Sequence, residues 1–129
     1  MAVEVTNVRV RSFRDLEVWR KSMDLAVTIY DLSRGFPQNE SYGITSQLRR
    51  SSVSIPSNIA EGQGRTSTRE FAQFLSIARG SNCEVQTQLE IARRLKFGDS
   101  VLIDKAESLS HEVGKMLYTM LGRLRAMAG

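Results

Sequence analysis

The sequence predicts an all-α protein, an up-down-up-down four-helix bundle whose second helix is kinked at Pro56. Three observations carry this. Apolar residues recur at intervals of three and four along four separate segments. Glycine, proline or a capping side chain stands at the segment ends, and the connections are short enough to force antiparallel neighbours. The 129 residues suit one domain and can bury a core without disulfide or metal staples.

Residues 1–12 come first. Val3, Val5, Val8 and Val10 alternate with polar residues as in a short strand, yet no second strand follows to pair with it. With Arg9 and Arg11, and Arg14 just beyond, this stretch reads as a flexible basic arm ahead of a bundle domain over 13–129. The first helix spans Asp15 to Arg34, with Leu16, Trp19, Met23, Ala26 and Tyr30 on one stripe and Val18, Leu25, Ile29 and Leu32 on another. "GFPQN" ends it, Gly35 being the C-cap residue and Pro37 unable to continue the helix.

The second helix, Ser41 to Gln63, is the unusual one. A proline inside a helix removes a backbone hydrogen bond and crowds the preceding turn, at about 3 kcal/mol. Starting a new helix at Pro56 would make Ile55 the N-cap, a poor choice. One continuous helix is therefore expected, with the Ser51 or Ser52 hydroxyl or a water meeting the freed carbonyl. Gln47, Arg50, Ser54, Asn58 and Glu61 form a polar stripe along it, poor in long charged side chains past Arg50. Small polar side chains permit close helix approach, and the third helix offers a matching stripe of Ser81, Glu84 and Gln88. A polar seam between the two helices follows, and its buried members must be paired.

The glycines of "EGQGR" let the chain turn into the third helix, which Ser67 caps with Glu70 three residues on. Its core line is Phe71, Leu75, Ala78, Asn82, Val85, Leu89 and Ala92, interrupted only by Asn82. "FGDS" turns the chain again. Asp99 caps a fourth helix with apolar positions Leu102, Ala106, Leu109, Val113, Met116, Met120, Leu124 and Met127. Helices one and four carry more apolar positions than one bundle core needs, so a homo-oligomer is expected.

Cys83, the sole cysteine, excludes an intramolecular disulfide and is expected to be a small buried hydrophobe. No secretory apolar region and no membrane-length apolar run occurs, which points to a cytoplasmic protein without membrane contact.

"SQLRRSSVSIPSNIAEGQGR" (46–65), "REFAQFLSIARGSNCEVQTQLEIARRL" (69–95) and the opening "FRDLEVWRKSMDLAVTIYDLSRGFP" (13–37) resemble the four-helix-bundle family of 23S rRNA intervening-sequence proteins. The family's wording is closer to G-S-L-E-L where this chain has "GSNCEV". The resemblance implies a four-helix bundle and, from related retroelement accessory proteins, a homopentamer that binds nucleic acid. Gln47, Arg50, Ser54, Pro56, Asn58, Glu61, Gly62, Gly64 and Arg65, with Gly80, Ser81 and Glu84, match its central motif.

Three function classes compete. Nucleic acid, RNA or DNA, leads: the chain carries +4 net charge, and Arg49, Arg50, Arg65, Arg69, Arg79, Arg93 and Arg94 outnumber lysines on helices two and three. No base-reading motif accompanies them, so sequence-independent phosphate contact through Arg49, Arg65, Arg69 and Arg79 is the expectation. A protein-interaction scaffold or accessory subunit is the alternative, supported by surplus apolar surface. An enzyme is disfavoured. His111 is the sole histidine, the Glu-x-x-His pairs of di-iron bundles are absent, and "GQGRTS" lacks the lysine of a phosphate loop. No cofactor or metal is expected.

Overall fold

The computed structural model describes residues 11–128, so positions 1–10 of the basic arm lie outside the described residues. The described chain opens with a capped 3-10 turn, Phe13–Asp15. The Ser12 hydroxyl accepts the Arg14 N–H (3.1 Å), while the Asp15 carboxylate accepts the N–H groups of Arg11 (3.0 Å) and Ser12 (3.2 Å). Those two backbone donors, Arg11 foremost, hold the Asp15 carboxyl below its usual range.

Four helices follow: α1 Glu17–Ser33, α2 Ile44–Gln63, α3 Thr68–Arg94 and α4 Ser100–Ala128. α1 starts later than its periodicity suggests because the capped turn takes the first residues. α2 starts later because Gln38–Glu40 forms a second 3-10 turn. Gly35 closes α1 without a left-handed residue, its N–H bonding the Leu32 carbonyl at 3.1 Å. The two later caps match the sequence. Ser67 accepts the Glu70 N–H (3.0 Å) and Asp99 accepts the Val101 N–H (2.8 Å). Between α3 and α4, Gly98 sits at φ +77, and a Cβ there would lie 2.7 Å from Leu32 Cδ1. Glycine is required on both counts.

Each helix packs on its two neighbours round a ring, α1–α2–α3–α4–α1, and the diagonal pairs make no close backbone approach. That is the antiparallel bundle. Its centre is filled by side chains at most 1% exposed, among them Leu25, Ile29, Leu48, Ile55, Phe71, Leu75, Leu89, Leu117 and Leu121. Burying each one fully stabilises the fold by roughly 1.5–3 kcal/mol.

α2 runs through Pro56 without a break, and Pro56 is buried. The sequence suggested that the Ser51 or Ser52 hydroxyl meets the carbonyl freed by Pro56, that of Ser52; neither does. They bond the carbonyls of Gln47 and Arg49 one turn earlier, both at 2.9 Å. A hydroxyl on a helix reaches back three or four residues, so neither serine can serve its own end of the gap. The carbonyls next to the gap are met from downstream: Ser57 Oγ donates to Val53 O and Asn58 Nδ2 to Ser54 O, each at 2.8 Å.

Two further expectations are corrected. Cys83 is exposed, because the inward positions 82 and 85 turn the residue between them to solvent. Gly62 is a packing residue and lies inside α2: a Cβ there would stand 2.7 Å from Phe74 Cβ and 3.0 Å from Phe71 Cδ1. Gly64, the residue after α2, keeps an ordinary right-handed backbone at φ −76. Asn82, the polar interruption of the α3 core line, is 2% exposed, and both its polar atoms have a partner. Its Nδ2 donates to the Ser110 carbonyl (3.0 Å) and its Oδ1 accepts the Ser110 hydroxyl (2.8 Å) across to α4.

Candidate functional site

The polar stripe of α2 meets α3 at its middle only. Ser54 and Ser81 share a hydroxyl–hydroxyl hydrogen bond of 2.8 Å, and Asn58 Nδ2 donates to Ser54 Oγ at 3.0 Å as well as to the Ser54 carbonyl. Ser51 Oγ lies 3.4 Å from Glu84 Oε2. Ser51, Ser54, Asn58, Ser81 and Glu84 therefore come together. The side chains of Gln47, Arg50 and Glu61 are exposed instead, Glu61 receiving Arg65 at 3.3 Å. Replacing Asn58 by leucine removes the bonds to Ser54 and is expected to lower stability by about 1 kcal/mol, read from a urea denaturation curve. An unchanged midpoint would strip the seam of its stabilising role.

The arginines divide into occupied and unoccupied groups. Arg93 is fully engaged: Nη2 donates to Asp104 and Glu107, both at 2.6 Å, and Nε to Glu107 at 2.9 Å. The Asp104 bond, then the Glu107 bond, raises its pKa above the usual value. Arg94 pairs with Glu90 at 2.8 Å. Arg49, Arg50, Arg69 and Arg79 carry no carboxylate partner among the described residues.

The four arginines singled out for phosphate contact do not form one patch on a single chain. Arg49 and Arg65 stand at opposite ends of α2, roughly 24 Å apart along the axis at 1.5 Å per residue. Arg65 and Arg69 share the α2–α3 end, and Arg79 faces α4. Three of the four lie over an aromatic ring: Arg49 over Tyr30 (4.6 Å to the ring centre), Arg65 over Phe74 (4.8 Å) and Arg79 over Tyr118 (5.6 Å). Such stacking holds a guanidinium plane in place and leaves its edge donors available.

Two shallow depressions are lined by arginines with no carboxylate. One, about 410 Å³, lies where α2 starts beside the end of α1 and is lined by Tyr30, Ser41, Thr45, Ser46, Arg49, Arg50 and Val53. The other, about 310 Å³ at the far end, is lined by Arg69, Ala72, Gln73, Ser76, Arg125 and Ala128. The sequence reading missed the first because it placed Arg50 in the seam and treated Tyr30 as core. The adjacent pair Arg49–Arg50, one helical turn from two hydroxyl residues, was the available signal. Among the described residues, no group of three or more His, Cys, Asp or Glu is placed to hold a metal ion, and no helix is long and apolar enough to cross a membrane.

The profile described as 23S rRNA-intervening sequence protein matches residues 14–119. A crystal structure of a protein with unknown function from the S23 ribosomal protein family of Bacteroides thetaiotaomicron VPI-5482 is 26% identical. It superposes with a TM-score of 0.74 over 81% of this chain and 95% of its own. Among curated proteins none matches this sequence.

Proposed function

Since the chain belongs to the 23S rRNA-intervening sequence protein family, we propose that it is a non-enzymatic binding protein of the cytoplasm that holds nucleic acid, RNA foremost, through arginines left free of carboxylates. The observation that supports this most is the division of the arginines. Arg93 and Arg94 are spent on ion pairs, while Arg49, Arg50, Arg69 and Arg79 keep guanidinium donors unused. A guanidinium fork matches two oxygens of a phosphate, and nothing in these surroundings reads a base edge. Binding is therefore independent of sequence.

Oligomerisation belongs to the same reading. Met23, Val27, Val53, Ile77, Ile91 and Val101 are between 38% and 69% exposed, more apolar surface than a solitary bundle needs to show. A homo-oligomer, a pentamer on the family resemblance, covers part of it and repeats the arginines by symmetry. The same surface supports the second reading, a scaffold for a protein partner without nucleic-acid contact.

Salt separates the two. If Arg49 and Arg50 share one phosphate of a single strand and Arg69 and Arg79 each neutralise another, log K falls with log salt at a slope of about −2, so affinity drops roughly twenty-fold between about 50 and 200 mM. Fluorescence anisotropy of a short labelled RNA across that range is the test. Steep loss supports nucleic acid; no binding at low salt, with a protein partner retained at high salt, supports the scaffold.

A further inference from the structure

We infer that the nucleic-acid backbone is gripped at the depression between the end of α1 and the start of α2, where Arg49 and Arg50 together hold one phosphodiester; this rests on the nucleic-acid reading above and names its site. Arg49 is not a loose surface side chain. Its Nε donates to Ser33 Oγ at 2.7 Å, Ser33 is only 3% exposed, and the Ser33 hydroxyl in turn donates to the Tyr30 carbonyl at 3.3 Å. The Tyr30 ring lies under the guanidinium at 4.6 Å. Both terminal amino groups of Arg49 remain uncommitted in a fixed plane, the condition for two-pronged contact with a phosphate.

The surroundings complete the site. Arg50 follows directly, exposed and without a carboxylate, so one turn of helix brings two guanidinium groups to the same rim. Thr45, Ser46 and Tyr30 bring three further hydroxyl donors, while the Ser41 hydroxyl is already spent on the Gln38 carbonyl at 2.7 Å. Among the described residues, no carboxylate lines the depression. Glu40 lies against Gly43 outside it. Two other depressions among the described residues lack this combination: one beside Trp19 includes Glu17 and Asp24, and one beside Ile91 includes Glu90 already joined to Arg94. At the α3–α4 end there is a single hydroxyl, Ser76, and one Arg125 donor is already turned onto it at 3.2 Å. Two forks and three hydroxyls suit a tetrahedral oxyanion better than a flat carboxylate. The open shape lets a chain continue past on both sides, as a phosphodiester requires and a small enclosed ligand does not.

The test uses the full chain and the labelled RNA at low salt, with Arg50→Ala, Thr45→Ala, Arg65→Ala and Arg69→Ala. Arg50 and Thr45 hold no core contact, so melting should be unchanged. Arg50→Ala is expected to weaken binding about tenfold, and Thr45→Ala to weaken it about threefold. Arg65→Ala should stay within about twofold, its guanidinium being shared with Glu61. Competition with inorganic phosphate separates a diester from a free phosphate: RNA should be displaced no better than by chloride of equal ionic strength. Normal binding by Arg50→Ala with loss in Arg69→Ala would move the site to the far end and overturn this inference while leaving the nucleic-acid reading intact. Displacement by low concentrations of inorganic phosphate would overturn the diester. Absence of RNA binding by the unaltered chain would remove the underlying reading itself.

Discussion

Asn82→Asp is expected to be the most damaging conservative substitution in the protein, costing about 3 kcal/mol or more at neutral pH. The side chains have the same shape, so packing is not the cause. Asn82 donates through Nδ2 to the Ser110 carbonyl and accepts the Ser110 hydroxyl at Oδ1, all within the bundle and away from water. Aspartate would set a carboxylate oxygen against the Ser110 carbonyl oxygen and bury a charge. Burial raises the folded-state pKa of the introduced carboxyl, so the penalty is greatest above that pKa and shrinks as pH falls and the acid form can donate to the carbonyl. Asn82→Leu, which loses the bonds without burying charge, should cost less and show no such pH dependence. Urea denaturation at neutral and acid pH reads both variants. Trp19, the sole tryptophan, lies 5.1 Å from the Phe13 ring and supplies the signal. Equal stability of the two variants at neutral pH would remove the burial argument.

The second large effect concerns two glycines two residues apart. Gly62→Ala places a methyl 2.7 Å from Phe74 Cβ and 3.3 Å from the Phe71 carbonyl, so α2 and α3 must move apart, at about 1–3 kcal/mol. Gly64→Ala meets only carbonyl oxygens of its own chain at 3.6 and 3.8 Å and keeps a right-handed φ. It should be neutral or should stabilise by about 0.4–1 kcal/mol through the unfolded chain. A loss at Gly62 and none at Gly64 is expected from the same denaturation curves. A loss at Gly64 matching that at Gly62 would mean that both residues serve the turn.

The contrast marks where sequence reasoning worked and where it stopped. The helices were legible because spacings such as Leu25–Ile29–Leu32 and Phe71–Leu75–Ala78 report a buried face directly, and Ser67 and Asp99 mark the starts of α3 and α4 through chemistry local to each turn. Relations between distant residues were not legible. Asn82 looked like a flaw in the α3 core line because its partner, Ser110, lies 28 positions further along. Gly62 looked like part of a turn because the rings it admits come from the next helix. Cys83 was misplaced by weighing the residue type above its position between two inward neighbours.

The candidate site follows the same rule. Ser54, Asn58, Ser81 and Glu84 face the contact line between α2 and α3, whereas at Gln47, Arg50 and Glu61 the stripe drifts round to solvent. Which arginines stay free depends on where carboxylates of other turns fall. Arg93 meets Asp104 and Glu107 from α4, whereas no acid among the described residues reaches Arg49, whose neighbours Ser33 and Tyr30 come from α1.

The most direct measurement is the solution mass of the full chain by light scattering, alone and with a short RNA, at low and at moderate salt. The expected result is a protein mass well above the 14.5 kDa of one chain at both salts, with RNA joining it at low salt and leaving at moderate salt. A 14.5 kDa species that never takes up RNA, or an RNA complex indifferent to salt, would contradict the reading of this bundle as an oligomer that holds nucleic acid by its phosphates.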